Sequence, residues 1–259
     1  MAEFLEEEQP LIWITLINYG YIHFTKNFLM SLKKYGVTMK LYIYCINFDK
    51  CYEELKEFDN CVCLNAELFL KTQIGDAMSV WAQMAYKQLV FCKLDAIKYT
   101  LMNTNSKGIK AIGYIDTDII VLSNPTDVIM RYMTVFPNMS IFSQCDEVMK
   151  CRDISNCGNI CSGAIVFKNN PDYYHIFDYN KIDIQGFMGD QDFLLSKIRT
   201  YGIKTITIDK NIFINGTYPG IKPGSGELVL KQQASLIHFN WLVGDEKEKQ
   251  MRRLGMWYL

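Results

Sequence analysis

Two aspartates one residue apart stand out as side chains that could do chemistry. Asp116 and Asp118 separate the apolar runs at 112–115 and 119–122. On an extended strand they would point the same way, at the end of a largely buried segment. Like charges held this close repel each other, and burial strengthens the repulsion. A cation would relieve it, and carboxylate oxygens suit Mg²⁺ or Mn²⁺, which in turn suit phosphate oxygens.

The same stretch has a simpler interpretation. Asp116 and Asp118, with Ser123, Asn124 and Pro125 behind them, are residue types that favour turns, so the pair could lie in a solvated turn. The apolar flanks on both sides favour burial instead.

The elements that would position the aspartates alternate between strand and helix. Strands are predicted at 11–17, 41–46 and 62–64, helices at 24–36, 52–58 and 81–101, and the aspartate-bearing strand from 112. This order predicts an α/β fold with a mostly parallel, Rossmann-like central sheet flanked by helices. Ligands of such sheets bind at the carboxyl ends of the strands, so we expect the turn at 18–21 and the aspartates on one rim.

The pattern is looser in the second half of the chain. It predicts helices at 128–132, 193–201 and 245–253, strands at 140–142, 161–167, 203–208 and 236–241, and a glycine-rich loop at 215–226. Without repeats or a low-complexity linker, we expect a single domain, 1–259, whose second half, 126–259, is mixed.

Composition narrows the class of protein. The 259 residues are 49% hydrophobic and 14% aromatic, as in a compact globular protein, and the net charge is -1. Without a basic field, nucleic-acid binding is not expected. The acidic N-terminus does not resemble a signal peptide, and no apolar run is long enough to span a bilayer.

The nine cysteines do not form a recognisable disulfide framework, because their number is odd and their spacing irregular. We therefore expect reduced thiols and a cytoplasmic protein. Four of them, at 145, 151, 157 and 161, lack the close pairs of structural zinc sites, so free thiols are favoured there too.

A histidine and a lysine near the end of the chain are further candidates. His238 ends an apolar run, where a histidine is more often a core residue, but neutral imidazole is a good third ligand for Mn²⁺. Gly244 and Lys247 could offer backbone and a positive charge to phosphate, although Lys247 could equally lie on a solvated helix face.

The remaining candidates are weaker individually. Asp190 and Gln191 precede a helix, where aspartate commonly caps. Lys93 could reach a phosphate or carboxylate. Three residues at the end of the first strand could hold a nucleobase: Thr15, Asn18 and Tyr21.

Taken in order, these segments resemble the GT-A nucleotide-sugar glycosyltransferases. The resemblance runs from Thr15 to Lys247 and is closest to the retaining, glycogenin-like family 8. Its most specific parts are the segment Tyr-Ile-Asp-Thr-Asp-Ile-Ile-Val-Leu-Ser-Asn-Pro and the segment around His238.

The resemblance implies a role for each candidate. Asp116, Asp118 and His238 would bind Mn²⁺ or Mg²⁺, with Asp116 also reaching the ribose, and Asp190 and Gln191 would lie beside the donor sugar as the catalytic pair. The donor would be contacted by Thr15, Asn18, Tyr21, Lys93, Ser162, Gly163, Gly244 and Lys247.

Two departures from the family pattern matter. Cys161 precedes Ser162 and Gly163 at the position where the family has an asparagine that contacts the sugar. Whether this chain makes that contact is open, and Asn159 is the candidate to replace the asparagine. The spacing after Gly244 leaves the choice between Lys247 and Lys249 open.

The implied activity is metal-dependent transfer of a sugar from a nucleoside diphosphate, expected to be UDP, to a hydroxyl of a sugar, glycan or glycoprotein, with retention. Residues 1–125 would form the nucleotide-binding half, and residues 126–259 would form the half that binds the donor sugar and the acceptor. The loops at 138–159 and 215–226 are expected to contact the acceptor. The oligomeric state is open. Two alternatives remain: a non-catalytic nucleotide-sugar-binding protein, and a sugar-phosphate nucleotidylyltransferase, whose arginine-containing glycine-rich loop this sequence lacks.

Overall fold

The computed structural model describes residues 9–70, 74–79, 81, 83–105, 108–147 and 159–259. The strands are β1 (Leu11–Ile17), β2 (Leu41–Cys45), β3 (Cys61–Asn65), β4 (Ala111–Ile115), β5 (Ile119–Val121), β6 (Ile141–Cys145), β7 (Ile160–Lys168), β8 (Thr205–Ile208), β9 (Phe213–Ile214) and β10 (Leu236–His238). The α-helices are α1 (Ile22–Lys34), α2 (Phe48–Leu55), α3 (Met84–Thr104), α4 (Pro125–Val135), α5 (Lys181–Gly186), α6 (Asp190–Thr200) and α7 (Asp245–Arg253).

The strands form a seven-stranded sheet and a small three-stranded sheet. The strand order is β3-β2-β1-β4-β7-β6-β8 in the first and β5-β10-β9 in the second. The pairs β1–β2, β1–β4, β2–β3 and β6–β8 are all parallel. The α/β fold with a mostly parallel central sheet, expected from the sequence, is therefore confirmed.

The chain divides into two compact units that interleave along the sequence. Unit 1 comprises 1–22, 40–115 and 166–203, and unit 2 comprises 23–39, 116–165 and 204–259. These boundaries differ from the sequence halves 1–125 and 126–259, and the single-domain assignment stays a prediction.

Unit 1 is built on the parallel strands β1 to β4. Strands β1, β2 and β4 are buried along their whole length, as expected for apolar, β-branched strands of a parallel sheet. Trp13 of β1 lies opposite Gly113 of β4, and a Cβ atom at 113 would come within 2.4 Å of the indole. Gly113 thus makes room for the largest side chain of this core.

Unit 2 contains both parallel and antiparallel pairing. Strand β10 runs antiparallel to β5 and parallel to β9. Helix α1 packs on this sheet, where the Ser31 hydroxyl accepts a hydrogen bond from the Val121 amide at 3.1 Å. Helix α4 begins with Asn124 as N-cap, bonded to the Thr126 amide, and with proline in its first turn.

The structure corrects the expected setting of the two aspartates. Residues 117–118 form a bend between Asp116, which follows β4, and β5, so Asp116 and Asp118 do not lie on one extended strand. The two apolar runs enter different sheets because the chain turns at this bend. The alternation of strand side chains therefore does not explain why the carboxylates converge.

Two smaller expectations also changed. Strand β9 and helix α5 were not predicted. Helix α6 has Gly189 as its N-cap without a side-chain cap, so Asp190 lies in its first turn instead of capping it.

Six described cysteines are free: Cys45, Cys51, Cys61, Cys63, Cys92 and Cys161. Cys145 is disulfide-bonded, which corrects the expectation of a free thiol at this position, and its partner lies outside the described residues. Cys151 and Cys157 also lie outside them. Among the helices the structure describes, none has the length and apolar character needed to cross a bilayer.

Candidate active site

Unit 2 brings Asp116, Asp118 and His238 together. One ligand atom from each lies within 4.8 Å of the other two, and no other such group of His, Cys, Asp or Glu occurs in the described part of the chain. The β5–β10 pair is responsible: Ile119, beside Asp118, pairs with His238, and the Phe239 amide donates to the Asp118 carbonyl at 3.0 Å.

The three side chains face one another at short range. His238 Nε2 lies 3.1 Å from Asp118 Oδ1 and 3.8 Å from Asp116 Oδ2. His238 and Asp118 are buried, at 2% and 8% exposure, whereas Asp116 is partly exposed. Two side chains of the cluster, His238 and Asp118, are therefore buried, and the Asp116 carboxylate is accessible to a ligand.

Gln144 on β6 determines which nitrogen of His238 faces the carboxylates. Its amide Nε2 donates to the Ile214 carbonyl at 2.8 Å, so its Oε1, 2.8 Å from His238 Nδ1, must accept. The Nδ1–H donates to Gln144, and Nε2 is directed at Asp118. Sequence reasoning missed Gln144; the available signal was a polar residue within an apolar strand.

A lone pair on Nε2 at 3.1 Å from a carboxylate oxygen would be repulsive, so a proton or a metal ion is required between them. Burial lowers the pKa of His238, but Asp118 outweighs burial and raises it to about 10. Burial likewise opposes ionisation of Asp118, while the charges of Lys247 and His238 hold its pKa well below the usual value.

Two carboxylates and an imidazole nitrogen fit a divalent cation such as Mn²⁺ or Mg²⁺. The donors are of the type these ions take, and they already converge. The hydrogen bond from Nδ1 to Gln144 is the outer-shell contact that metal-binding histidines commonly make.

Lys247 adds a positive charge to the cluster. It lies in the first turn of α7, after Gly244, whose φ of +56° suits glycine. Its Nζ lies 2.5 Å from Asp118 Oδ2, whereas Lys249 is exposed. Of the two lysines left open by the sequence, Lys247 is the one that contacts the aspartate pair.

Gly163 on β7 packs against the cluster. Its carbonyl accepts a hydrogen bond from the Asp116 amide at 2.7 Å, and a Cβ atom would lie 2.3 Å from Asp116 Oδ2 and 2.5 Å from His238 Cε1. Ser162 beside it is buried, at 5% exposure. Any side chain at position 163 would therefore displace Asp116 and His238.

Cys161 occupies the position that is asparagine in the glycosyltransferase family that the sequence resembles. Its thiol is buried and lies 3.6 Å from His238 Nδ1, so it packs behind the histidine. Asn159 is exposed, and its carbonyl accepts from the Asp146 amide. The substitution of Asn159 for the missing asparagine stays a prediction.

The other expected site residues belong to unit 1. Lys93 of α3 forms a buried ion pair with Asp190 of α6 at 3.4 Å, and its ammonium lies 4.8 Å from the centroid of the Tyr114 ring. Gln191 follows in α6 and is partly exposed. The structure thus joins Lys93 to Asp190, a pairing that the sequence did not reveal.

The end of β1 packs on the segment 74–79. Asn18 donates both amide hydrogens, to the carbonyls of Gly75 and Ala77, each at 2.8 Å. Tyr21 is partly exposed, and its hydroxyl donates to the Ser79 carbonyl at 3.5 Å. Thr15 is buried, and its Oγ1 has no hydrogen-bond partner within the described structure. Base binding by these residues stays a prediction.

The chain matches a family model over most of its length. Residues 49–254 match the nucleotide-diphospho-sugar transferase family, so the chain belongs to that family. The matched range includes the aspartates, His238 and Lys247. No curated protein sequence is significantly similar to the chain.

Solved glycosyltransferase structures share the fold. Mouse xyloside xylosyltransferase 1 superposes with a TM-score of 0.55 at 9% identity, covering 89% of this chain and 97% of that one. The galactosyltransferase LgtC, solved with donor and acceptor sugar analogues, gives 0.55 at 9% identity, with 94% of each chain covered. The glycosyltransferase GlyE of Streptococcus pneumoniae TIGR4 gives 0.53 at 12%, covering 93% and 60%.

The family and the fold make this protein a glycosyltransferase of the GT-A type. The family implies a nucleotide-sugar donor and a sugar acceptor, and the described residues include a possible metal site.

Proposed function

We propose that this protein is a divalent-metal-dependent glycosyltransferase that uses a UDP-sugar, with Mn²⁺ as the preferred ion, and retains the configuration of the transferred sugar. The observation that carries the proposal is the convergence of Asp116, Asp118 and His238, with Lys247 bonded to the same cluster. UDP and retention rest on the resemblance to the glycogenin-like family.

The protein's own side chains have distinct tasks in this reaction. Asp116 Oδ2, Asp118 Oδ1 and His238 Nε2 would hold the ion, and Gln144 orients the imidazole. When bound, the ion would neutralise charge on the leaving diphosphate. The lysine ammonium at Asp118 would provide a second, fixed cation for the same phosphates.

The donor nucleotide and its sugar would occupy two further groups of residues. We assign the uracil to Thr15, Asn18 and Tyr21, and the ribose to Asp116. In this assignment Asn18, which donates to the carbonyls of Gly75 and Ala77, would act by holding that segment in place. Ser162, Gly163 and Gly244 would line the approach of the diphosphate.

Asp190 and Gln191 would lie beside the donor sugar. The reacting carbon becomes oxocarbenium-like, and a carboxylate or carbonyl oxygen stabilises the positive charge. Lys93, paired with Asp190 at 3.4 Å, would hold that carboxylate in its orientation.

The decisive experiment measures binding and turnover of UDP-sugars with and without Mn²⁺. Wild-type protein should bind UDP-glucose, UDP-galactose, UDP-xylose or UDP-N-acetylglucosamine in the presence of Mn²⁺ and hydrolyse the bound donor slowly. The Asp118→Asn variant keeps the side-chain shape but removes the charge, and should lose Mn²⁺ binding. Asp127→Asn, an exposed aspartate on α4, is the matched control.

The outcomes separate the competing functions. Mn²⁺-dependent UDP binding without turnover across donors and acceptors would favour a non-catalytic binding protein. Absence of Mn²⁺-dependent binding to any UDP-, GDP- or TDP-sugar would refute the proposal. A ligand present at 100 times its Kd stabilises the fold by about 2.7 kcal/mol, which a thermal-shift assay detects easily.

A further inference from the structure

Trp241 is held in an unusual conformation three residues after His238. Its φ is +66°, the only positive φ at a non-glycine residue in the described parts of the chain. Bulky side chains rarely adopt this region, which costs free energy unless the surroundings enforce it. Trp241 nonetheless keeps 47% of its surface exposed. An aromatic side chain on an unfavourable backbone conformation is thus kept partly exposed to solvent.

The surroundings that enforce this conformation are visible in unit 2. The Asp146 carboxylate accepts hydrogen bonds from Trp241 Nε1 at 2.9 Å and Asn240 Nδ2 at 2.8 Å. Asn240 Oδ1 in turn accepts from the Gly216 amide at 2.7 Å. A Cβ atom at 216 would lie 1.7 Å from the Asn240 carbonyl oxygen, so the glycine is needed for this approach. The indole is thus fixed at its polar edge.

The segment that carries Trp241 is hydrogen-bonded directly to the cluster of Asp116, Asp118 and His238. The Phe239 amide donates to the Asp118 carbonyl at 3.0 Å. Asn240 Nδ2 also contacts Cys161 Sγ at 3.7 Å, and that sulfur lies 3.6 Å from His238 Nδ1. The indole and the metal ligands therefore keep a fixed mutual geometry.

The charges around the indole indicate the chemistry of its ligand. Lys222 Nζ lies 5.3 Å from the ring centroid, and the Asp146 carboxylate lies at the ring edge. The charges of Lys222 and Asp146 offset each other at the indole, so this site does not favour an anionic ligand. A rigid, exposed aromatic face between opposite charges suits a neutral polyhydroxylated ring, whose C–H face packs on the indole and whose hydroxyls bond to polar groups at its rim.

We infer that Trp241, fixed by Asp146, is the stacking platform for a pyranose ring of the acceptor. The inference rests on the proposed function, because an acceptor sugar is needed only if the protein transfers one. The acceptor hydroxyl must reach the donor carbon next to the metal, and Trp241 lies on the segment that leaves the metal ligands.

The test compares Trp241→Ala and Trp241→Phe with Val243→Ala as control. Val243 is a neighbouring apolar residue, 52% exposed. The probes are the methyl β-glycosides of glucose, galactose, N-acetylglucosamine and xylose, added with Mn²⁺ and the UDP-sugar that the wild type hydrolyses. Trp241→Ala should raise the KM for the accepted glycoside by about tenfold or more, and Trp241→Phe, which keeps a ring, should change it less.

Two further measurements separate this inference from the proposed function. The Kd for UDP with Mn²⁺ and the rate of donor hydrolysis, in which water is the acceptor, should stay within about twofold of wild type in Trp241→Ala. An unchanged glycoside KM, weakened UDP binding, or a wild type that hydrolyses donor yet uses none of the four glycosides would overturn the role of Trp241. Failure of the wild type to bind UDP would instead refute the proposed function.

Discussion

The ammonium of Lys247 lies 2.5 Å from Oδ2 of Asp118, while Oδ1 of the same carboxylate faces His238 at 3.1 Å. One carboxylate is thus shared between a fixed cation and the candidate metal site. A lysine in this position works against a divalent ion electrostatically and favours the phosphates that the ion would also bind. The two effects have opposite signs and can be measured separately.

The first prediction follows from this shared carboxylate. Lys247→Met should raise the affinity for Mn²⁺ in the absence of nucleotide, because a repelling charge is removed. Unit charges 4 Å apart near a protein surface interact by about 4 kcal/mol. Since Lys247 is partly solvated, we expect a smaller effect, about tenfold in Kd.

The same variant should bind UDP with Mn²⁺ about tenfold more weakly, because the diphosphate loses a cation. Electron paramagnetic resonance of free Mn²⁺ and calorimetry with UDP measure the two affinities. Lys249→Met, two residues further along α7 and exposed, is the control. Weaker Mn²⁺ binding by Lys247→Met without nucleotide would contradict the assigned role.

The second prediction concerns pH. Asp118 raises the pKa of His238 to about 10 against the effect of burial, so the imidazole is protonated at neutral pH without metal. An imidazole must lose its second ring proton before it can bind a metal, so binding of Mn²⁺ should release about one proton and become about tenfold tighter per pH unit between pH 6 and 8. Calorimetry in buffers of different ionisation enthalpy measures the proton release, which His238→Gln should abolish.

The raised pKa also affects stability without added metal. A group whose pKa rises on folding stabilises the fold fully below its unfolded value of 6.5, and this contribution is lost as the pH rises through about 10. The excess stability of wild type over His238→Gln in urea should therefore shrink above neutral pH. A difference that grows with pH would show that His238 is neutral in the folded protein.

The third prediction concerns Gly163. Gly163→Ala would bring a methyl group to 2.3 Å from Asp116 Oδ2 and 2.5 Å from His238 Cε1, which must push the ligands apart. We expect the Mn²⁺ affinity to fall by about 10- to 100-fold, the range seen when the support of metal ligands is lost.

Gly186→Ala is the matched control, since a Cβ at 186 meets nothing within 4 Å. Circular dichroism would show whether Gly163→Ala remains folded. If the folded Gly163→Ala protein had wild-type Mn²⁺ affinity, Asp116 or His238 would not be a ligand of the ion.

The fourth prediction tests the buried pair in unit 1. Lys93→Met or Asp190→Leu alone leaves a buried charge without its partner, and each should lower the free energy of unfolding by about 3 kcal/mol. The double variant should lose much less than the sum, because both charges are gone. Urea denaturation measures all three.

The pair Lys98–Asp178, at 2.5 Å but more exposed, provides the comparison and should contribute about 1 kcal/mol or less. A stable double variant without transfer activity would support a place for the Lys93–Asp190 pair in the donor site. A stable and fully active double variant would restrict the pair to a structural role.

The sequence determined the class of fold because local patterns specify it. Continuous apolar, β-branched runs such as residues 11–17 could only be buried parallel strands once helices followed them, and β1 has those bounds. Helix α7 likewise begins and ends at the predicted residues, 245 and 253. Asp116, Asp118, His238 and Lys247, which converge in the structure, could also be chosen as candidates from the sequence, because carboxylate, imidazole and ammonium are groups that can bind metal and phosphate.

The tertiary structure alone decided how those residues meet. Asp118 reaches His238 because β5 and β10 pair antiparallel, a contact across 120 residues that no local pattern encodes. Local patterns also did not reveal the role of Gln144, the ion pair of Lys93 with Asp190, or the strained conformation of Trp241, since each depends on a neighbour far away in the chain. Residue type supplies the chemistry of a site, whereas long-range packing sets its geometry.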